Sequence, residues 1–140
     1  MFQLHERLAA DSHLAGRAAG CQIRLVDDAR YFWLLLVPEV AEMRDLHDLP
    51  PAQLTAVMQL AAGLGRALQA ATHADKINTA AIGNMVPQLH IHIVARHRDD
   101  PAWPQPVWGF GSLKPLDESD RMRRIGQVQS MLPKLHDIAG

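Results

Sequence analysis

The hydrophobic and polar positions of this chain fall into two periods. Cys21, Ile23 and Leu25 alternate with Gln22 and Arg24, the two-residue period of a strand with one buried face. Residues 32–37, Phe-Trp-Leu-Leu-Leu-Val, are apolar throughout and stop at Pro38, which reads as a second, more deeply buried strand. Between them Asp27-Asp28-Ala29-Arg30 forms a turn, because aspartate side chains bond their own backbone. The two strands therefore predict a hairpin. From residue 51 the period lengthens. Leu54, Val57, Met58, Ala61, Leu64, Leu68 and Ala71 recur at three- and four-residue spacing, which predicts a long helix over residues 51–71 with one apolar face. Pro51 suits its first turn, where a missing N–H costs nothing. Gly63 and Gly65 weaken the middle of that helix, or permit a neighbour to pack closely.

The remaining elements follow from the same signals. A short helix is expected over residues 3–10, after which Gly16 and Gly20 break the chain. Residues 76–82 read as a third strand, Gly83-Asn84 as a loop, and residues 88–95 as a fourth strand. The stretch 99–115 carries Pro101, Pro104, Pro106 and Pro115 with Trp103 and Trp108, a rigid aromatic-bearing loop. A terminal helix is expected over residues 117–132, capped by Asp117 and bent or ended by Pro133. Strands joined by short connections, with helices before, between and after them, predict an α+β fold. Its antiparallel sheet carries helices on one face.

At 140 residues the chain is one domain, long enough to bury roughly two-thirds of its unfolded surface without a staple. Fourteen Lys and Arg against fifteen Asp and Glu leave a net charge of -1, which excludes the bulk basicity of a general nucleic-acid binder. The longest apolar run, residues 31–40, is broken by Pro38 and Glu39 and is too short to span a membrane. A single cysteine, Cys21, excludes an internal disulfide and reads as a small core residue. With no export signal in residues 1–10, a cytoplasmic location is expected. Eight histidines in 140 residues are many, and they direct attention to one segment.

That segment is Gln88-Leu89-His90-Ile91-His92-Ile93-Val94. In a strand, residues two apart share a face at about 6.5–7 Å, so Gln88, His90 and His92 are expected on one side and Leu89, Ile91 and Ile93 on the other. Gathering polar groups on one face of a buried strand predicts a site rather than a scaffold. A neutral imidazole held in one tautomer can attack phosphorus, and neighbouring imidazole or amide groups can donate to phosphate oxygens. Two imidazoles at this spacing can equally hold a metal ion. His97, flanked by Arg96 and Arg98, reads as a solvated basic rim.

Gln88-x-His90-x-His92-x-Val94 resembles the signature of the histidine-triad (HIT) nucleotide hydrolases and transferases, in which three histidines alternate with apolar residues on one strand. The likeness extends over about residues 2–115. Asp27 follows a strand as the family's ribose-contacting residue does, and His47-Asp48-Leu49-Pro50 resembles the family's lead-in to its long helix. Asn78, and Gly83-Asn84 ahead of the motif, fall where the family has phosphate-contacting amides. The resemblance implies a single HIT-like domain over residues 1–140, with a core of about 2–115 and a C-terminal helix over 116–140, assembled as a homodimer.

It also implies a two-step reaction on a nucleotide. His90 would attack the α-phosphorus of a phosphoanhydride or phosphoramidate, and water would release a nucleoside monophosphate from the nucleotidyl-histidine. His92 would hydrogen-bond the phosphate and, through its backbone carbonyl, fix the tautomer of His90. Asn84 would assist the leaving group, Asn78 would contact a non-bridging oxygen and Asp27 the ribose. No resident cofactor belongs to that chemistry, although Mg²⁺ accompanies a polyphosphate substrate. The first triad position departs from the pattern. Gln88 donates and accepts hydrogen bonds but carries no proton. Two other readings therefore stand beside hydrolysis: a nucleotide-binding protein with little or no turnover, and a metal-binding protein using His90 and His92.

Overall fold

The computed structural model describes residues 1–139, with side chains described through Leu132. Its strands are β1 (Ser12–Ala18), β2 (Cys21–Val26), β3 (Phe32–Pro38), β4 (Lys76–Ala80) and β5 (Ile91–Arg96). All pair antiparallel in one sheet of order β1-β2-β3-β5-β4. Three α-helices accompany them, α1 (Glu6–Asp11), α2 (Pro51–Thr72) and α3 (Glu118–Ala139), and a short 3-10 turn, Leu46–Asp48, precedes α2. The expected α+β fold is the one adopted.

The alternation of β2 sends Ile23 and Leu25 toward the helices, and the register sets Ile23 against Leu36 and Leu34 against Ile93. Those residues, with Ile91, meet Val57, Leu60, Leu64 and Leu68 of α2 and Val128 and Met131 of α3 in one core. Each fully buried leucine of that set contributes about 2–3 kcal/mol of transfer free energy. Gly65 serves the close approach anticipated for it: a Cβ there would lie 3.4 Å from the Ile77 side chain of β4. Cys21 is buried in the same core, and burial, with Glu39 adding, pushes its thiol up to about 12.

Five elements differ from the expectation. The first helix starts later, at Glu6, and the chain then runs into β1 where a break was expected. Gly16 does not end this strand. It sits at a register shift between Leu14 and Gly16, and a Cβ there would lie 2.7 Å from Leu132 of α3, so the glycine admits both a bulge and a helix. β4 ends at Ala80, two residues early, and β5 begins at Ile91, three residues late. The bond from the Leu89 N–H goes to the Met43 carbonyl rather than to a neighbouring strand. α3 continues past Pro133, since a proline removes one helical bond while keeping a helical φ. The Asp117 carboxylate does cap it, accepting from the Asp120 N–H at 2.7 Å. Among the described residues, no helix is long and apolar enough to cross a membrane.

The second face of the sheet is covered by residues 2–11, by the segment between β4 and β5, and by the proline-rich loop. Phe2, Leu4 and Leu8 pack with Val26, Leu35, Val37 and Val86, and Ala102 and Val107 pack on Tyr31 and Val94. Arg96 anchors this layer. It was expected at a solvated rim, yet it is 2% exposed. It bonds Asp100, the Gln105 carbonyl and Asn78, and lies over the rings of Tyr31 and Trp103. The even spacing from His92 places it on the same inner face, beneath the loop. Removing one member of a buried ion pair leaves the other charge unpaired. Arg96→Ala should therefore cost about 3–5 kcal/mol of stability in urea denaturation, far more than truncating the neighbouring Arg98.

Candidate functional site

His90 and His92 lie side by side on this second face, ring centres 4.9 Å apart and nearly edge-on. His92 belongs to β5, flanked by Leu35 of β3 and Ala80 of β4. His90 precedes the strand, in the irregular segment that approaches it. Backbone and side-chain partners then fix what each ring can do. The Nδ1 of His90 lies 2.7 Å from the backbone carbonyl of Gln88. A carbonyl only accepts, so Nδ1 carries the proton and Nε2 keeps its lone pair. The family resemblance implies the carbonyl of His92 for this task. The turn of the chain before β5 brings that of Gln88 to the ring instead.

His92 is held the other way round. The Trp33 indole N–H donates to its Nδ1 at 3.0 Å, so the neutral ring carries its proton on Nε2. Trp33 and Trp108 pack against it with ring centres 5.7 and 5.3 Å away. Burial, with the neighbouring His90 adding and a backbone bond at Ile82 opposing, pushes the His92 pKa down to about 4. The pKa of His90 is also lowered, chiefly by burial, with the Gln88 carbonyl opposing and the charge of His5 adding. Both rings are therefore neutral near pH 7. The pair combines a free Nε2 lone pair on His90 with an Nε2–H on His92.

Both rings line a cleft of about 300 Å³. Its floor is Trp33, Leu35 and Val26 from the sheet, α1 provides Arg7, Leu8 and Asp11, and the loop supplies Phe110 and Leu113. The loop wall is secured from beneath. Asp28 is fully buried and accepts from the Arg30 guanidinium at 2.8 Å, and Arg30 donates to the Phe110 carbonyl at 2.7 Å. Gly111 has φ +61, and a Cβ there would stand 3.0 Å from the Arg30 guanidinium, so conformation and space both ask for glycine.

The other residues singled out by sequence lie elsewhere. Gln88 does not face the cleft. Its carboxamide accepts from the His5 N–H at 2.8 Å and donates to the Gln3 carbonyl at 2.9 Å. Asp27 accepts from the Leu116 N–H at 3.0 Å and stands 3.5 Å from His13; its neighbour Asp28 is the one at the cleft. Asn78 is on the same sheet face but bonds Arg96 and borders a separate groove with Pro104 and Pro106. Asn84 is exposed beside a third hollow with Arg44 and Asp45. The residues that sequence reasoning did not assign are Trp33, Arg30 and Arg7. A tryptophan directly across from Val94, two register positions from the pair that holds His92, is visible only once the strands are in register.

Two neutral imidazoles with opposite tautomers line the cleft beside aromatic rings, and together they present one acceptor nitrogen and one N–H donor. The chain belongs to the HIT domain family, whose sequence profile matches residues 7–99. That family comprises nucleotide-binding proteins and nucleotide hydrolases. The chain is similar to the crystal structure of a histidine triad protein from Marinobacter aquaeolei VT8, with 41% identity and a TM-score of 0.94. The match covers 96% of this chain and 98% of that one. It is also similar to a histidine triad protein from Sinorhizobium meliloti 1021, with 38% identity, a TM-score of 0.91 and 93% and 96% of the two chains covered. A zinc-bound histidine triad family protein from Mycobacterium smegmatis shares the fold at 20% identity and a TM-score of 0.64, over 94% and 92% of the chains. No curated protein matches the sequence.

The depressed His92 pKa makes a stability prediction. Its folded pKa of about 4 lies below the unfolded value of about 6.5, so between those values the unfolded chain binds the proton more readily. Stability should fall as pH drops from about 6.5 toward about 4 and level off below. The contribution at pH 4.5 is roughly 2–3 kcal/mol. Urea denaturation at pH 7 and pH 4.5 should show a larger loss for the native chain than for His92→Gln.

Proposed function

We propose that this protein is a nucleotide hydrolase that cleaves a phosphoanhydride or phosphoramidate bond at the α-phosphorus through a nucleotidyl-His90 intermediate. The observation that supports it is the 2.7 Å bond from His90 Nδ1 to the Gln88 carbonyl, in a ring that lines the cleft. It leaves Nε2 as the nucleophilic atom at neutral pH. In the first step the Nε2 lone pair forms a bond to phosphorus. The bond to the leaving group breaks, and that group departs with the electron pair and takes up a proton. In the second step water adds to phosphorus, the P–N bond breaks, and its electrons return to Nε2. One water proton is lost to solvent, and a nucleoside monophosphate leaves. His92 donates its Nε2–H to a non-bridging oxygen, in competition with the Ile82 backbone. The step as proposed uses none of Asn78, Asn84 and Asp27. It uses no resident cofactor; Mg²⁺ enters only as the companion of a polyphosphate substrate.

A second reading, nucleotide binding with little turnover, is favoured by one observation. The carboxamide of Gln88 is engaged by Gln3 and His5 and offers nothing to a leaving group. The metal reading has less support. The Trp33 N–H on His92 Nδ1 keeps that ring's proton on Nε2, the nitrogen a shared ion would need, and among the described residues the cluster with metal-ligand spacing is exposed Asp45, His47 and Asp48, which contains neither imidazole. The homodimer is carried as part of the proposal. It is supported by β4, a sheet edge whose outer main-chain groups have no strand partner among the described residues.

Incubation with an adenosine phosphoramidate or a dinucleoside polyphosphate should release AMP, and quenching in alkaline denaturant, which spares the acid-labile P–N bond, should trap adenylate on the protein. His90→Ala should lose both by at least about a thousandfold, with an unchanged circular-dichroism spectrum. AMP binding with no release and no trapped adduct would support the binding-module reading instead.

A further inference from the structure

The cleft holds charge besides its imidazoles. Its lining carries two guanidiniums, Arg7 and Arg30, and two carboxylates, Asp11 and Asp28. Arg30 and Asp28 are committed to each other and to the loop: Nε and Nη2 of Arg30 meet the buried carboxylate at 3.0 and 2.8 Å, and Nη1 meets the Phe110 carbonyl at 2.7 Å. Arg7 and Asp11 differ. They are one helical turn apart, 4.0 Å at closest approach, with both side chains more than half exposed. Such a pair holds its partners weakly. Among the described residues that line the cleft, Arg7 is thus the guanidinium able to turn toward an incoming anion.

What fixes Arg7 there is a short relay from the site itself. α1 has six residues, too few to be stable alone. The carboxamide of Gln88 meets this segment as a neighbouring strand would, one bond given to the Gln3 carbonyl and one taken from the His5 N–H. The ring of His5 then accepts from the Arg7 N–H at 3.1 Å. A carboxamide suits this task. An imidazole, whose two nitrogens point away from each other, does not reproduce the pair of bonds.

We propose that Arg7 is a substrate-binding residue that meets the phosphoryl charge of a nucleotide held at His90, and that Gln88 is a positioning residue fastening the segment that carries it. The inference rests on the nucleotide reading above and adds two roles to it. Arg7 answers the charge that two neutral imidazoles cannot, and the glutamine at the first triad position becomes part of the binding apparatus.

Calorimetric titration of the full chain with AMP and with adenosine tests it. The native chain should bind AMP more tightly than adenosine. Arg7→Gln should weaken AMP about tenfold and leave adenosine unchanged, while Arg7→Lys should retain most of the AMP affinity. Gln88→Met should weaken AMP by about three- to fivefold, and the double variant should bind no worse than Arg7→Gln alone, because the second change acts through the first. Should Gln88→Met fail to fold, Gln88→Glu keeps the acceptor, loses the donor, and takes its place. Unchanged AMP affinity in Arg7→Gln, or equal losses for AMP and adenosine, would overturn the role of Arg7. Additive losses would overturn that of Gln88. A native chain that binds neither ligand, or both alike, would overturn the nucleotide reading itself.

Discussion

The hydrogen bond between His90 Nδ1 and the Gln88 carbonyl decides what the cleft can do. An imidazole with a mobile proton has no assigned nucleophilic nitrogen. One pinned at Nδ1 by an acceptor-only group has its lone pair at Nε2. The bond exists because the chain before β5 is not yet strand. A residue in the ladder would direct its carbonyl at a neighbouring strand, whereas Gln88 lies in the irregular lead-in and its carbonyl is available to a side chain. The late start of β5 at Ile91 is therefore a feature of the site as well as of the fold.

The surroundings serve the same end by different means. Trp33 assigns the proton of His92 to the opposite nitrogen, so the two rings differ in tautomer although both are neutral. Aromatic rings and apolar side chains keep water from the pair and lower both pKa values. The supports are ion pairs, one in the cleft wall and one beneath the loop. Asp28 and Arg30 hold one wall, and Arg96 with Asp100 holds the loop from which that wall projects. Each is a buried pair with further hydrogen bonds, the condition under which burying charge is tolerable.

Much of this was legible along the chain. The alternation of Cys21 to Val26, the apolar run before Pro38 and the seven-residue helical stripe in α2 determine those elements, because local periodicity and burial coincide there. The site motif was legible for the same reason: Ile91 and Ile93 face the core, which obliges His92 to face the other way. β1 was not legible. Gly16 looks like a breaker until Leu132 of α3 is seen occupying the space a Cβ would need. Arg96 looked solvated because its neighbours in sequence are charged, whereas its neighbours in space are Asp100 and two aromatic rings.

By itself, then, the sequence determined the fold class, the paired imidazoles and the family, since each depends on residue types at short spacing. The tertiary structure decided which nitrogen of each ring carries its proton. It decided that Asp28 rather than Asp27 stands at the cleft. It also decided that Gln88 reaches 85 residues back to the start of the chain. Those outcomes depend on hydrogen bonds between segments remote in sequence, and no local pattern encodes which partners folding will bring within 3 Å.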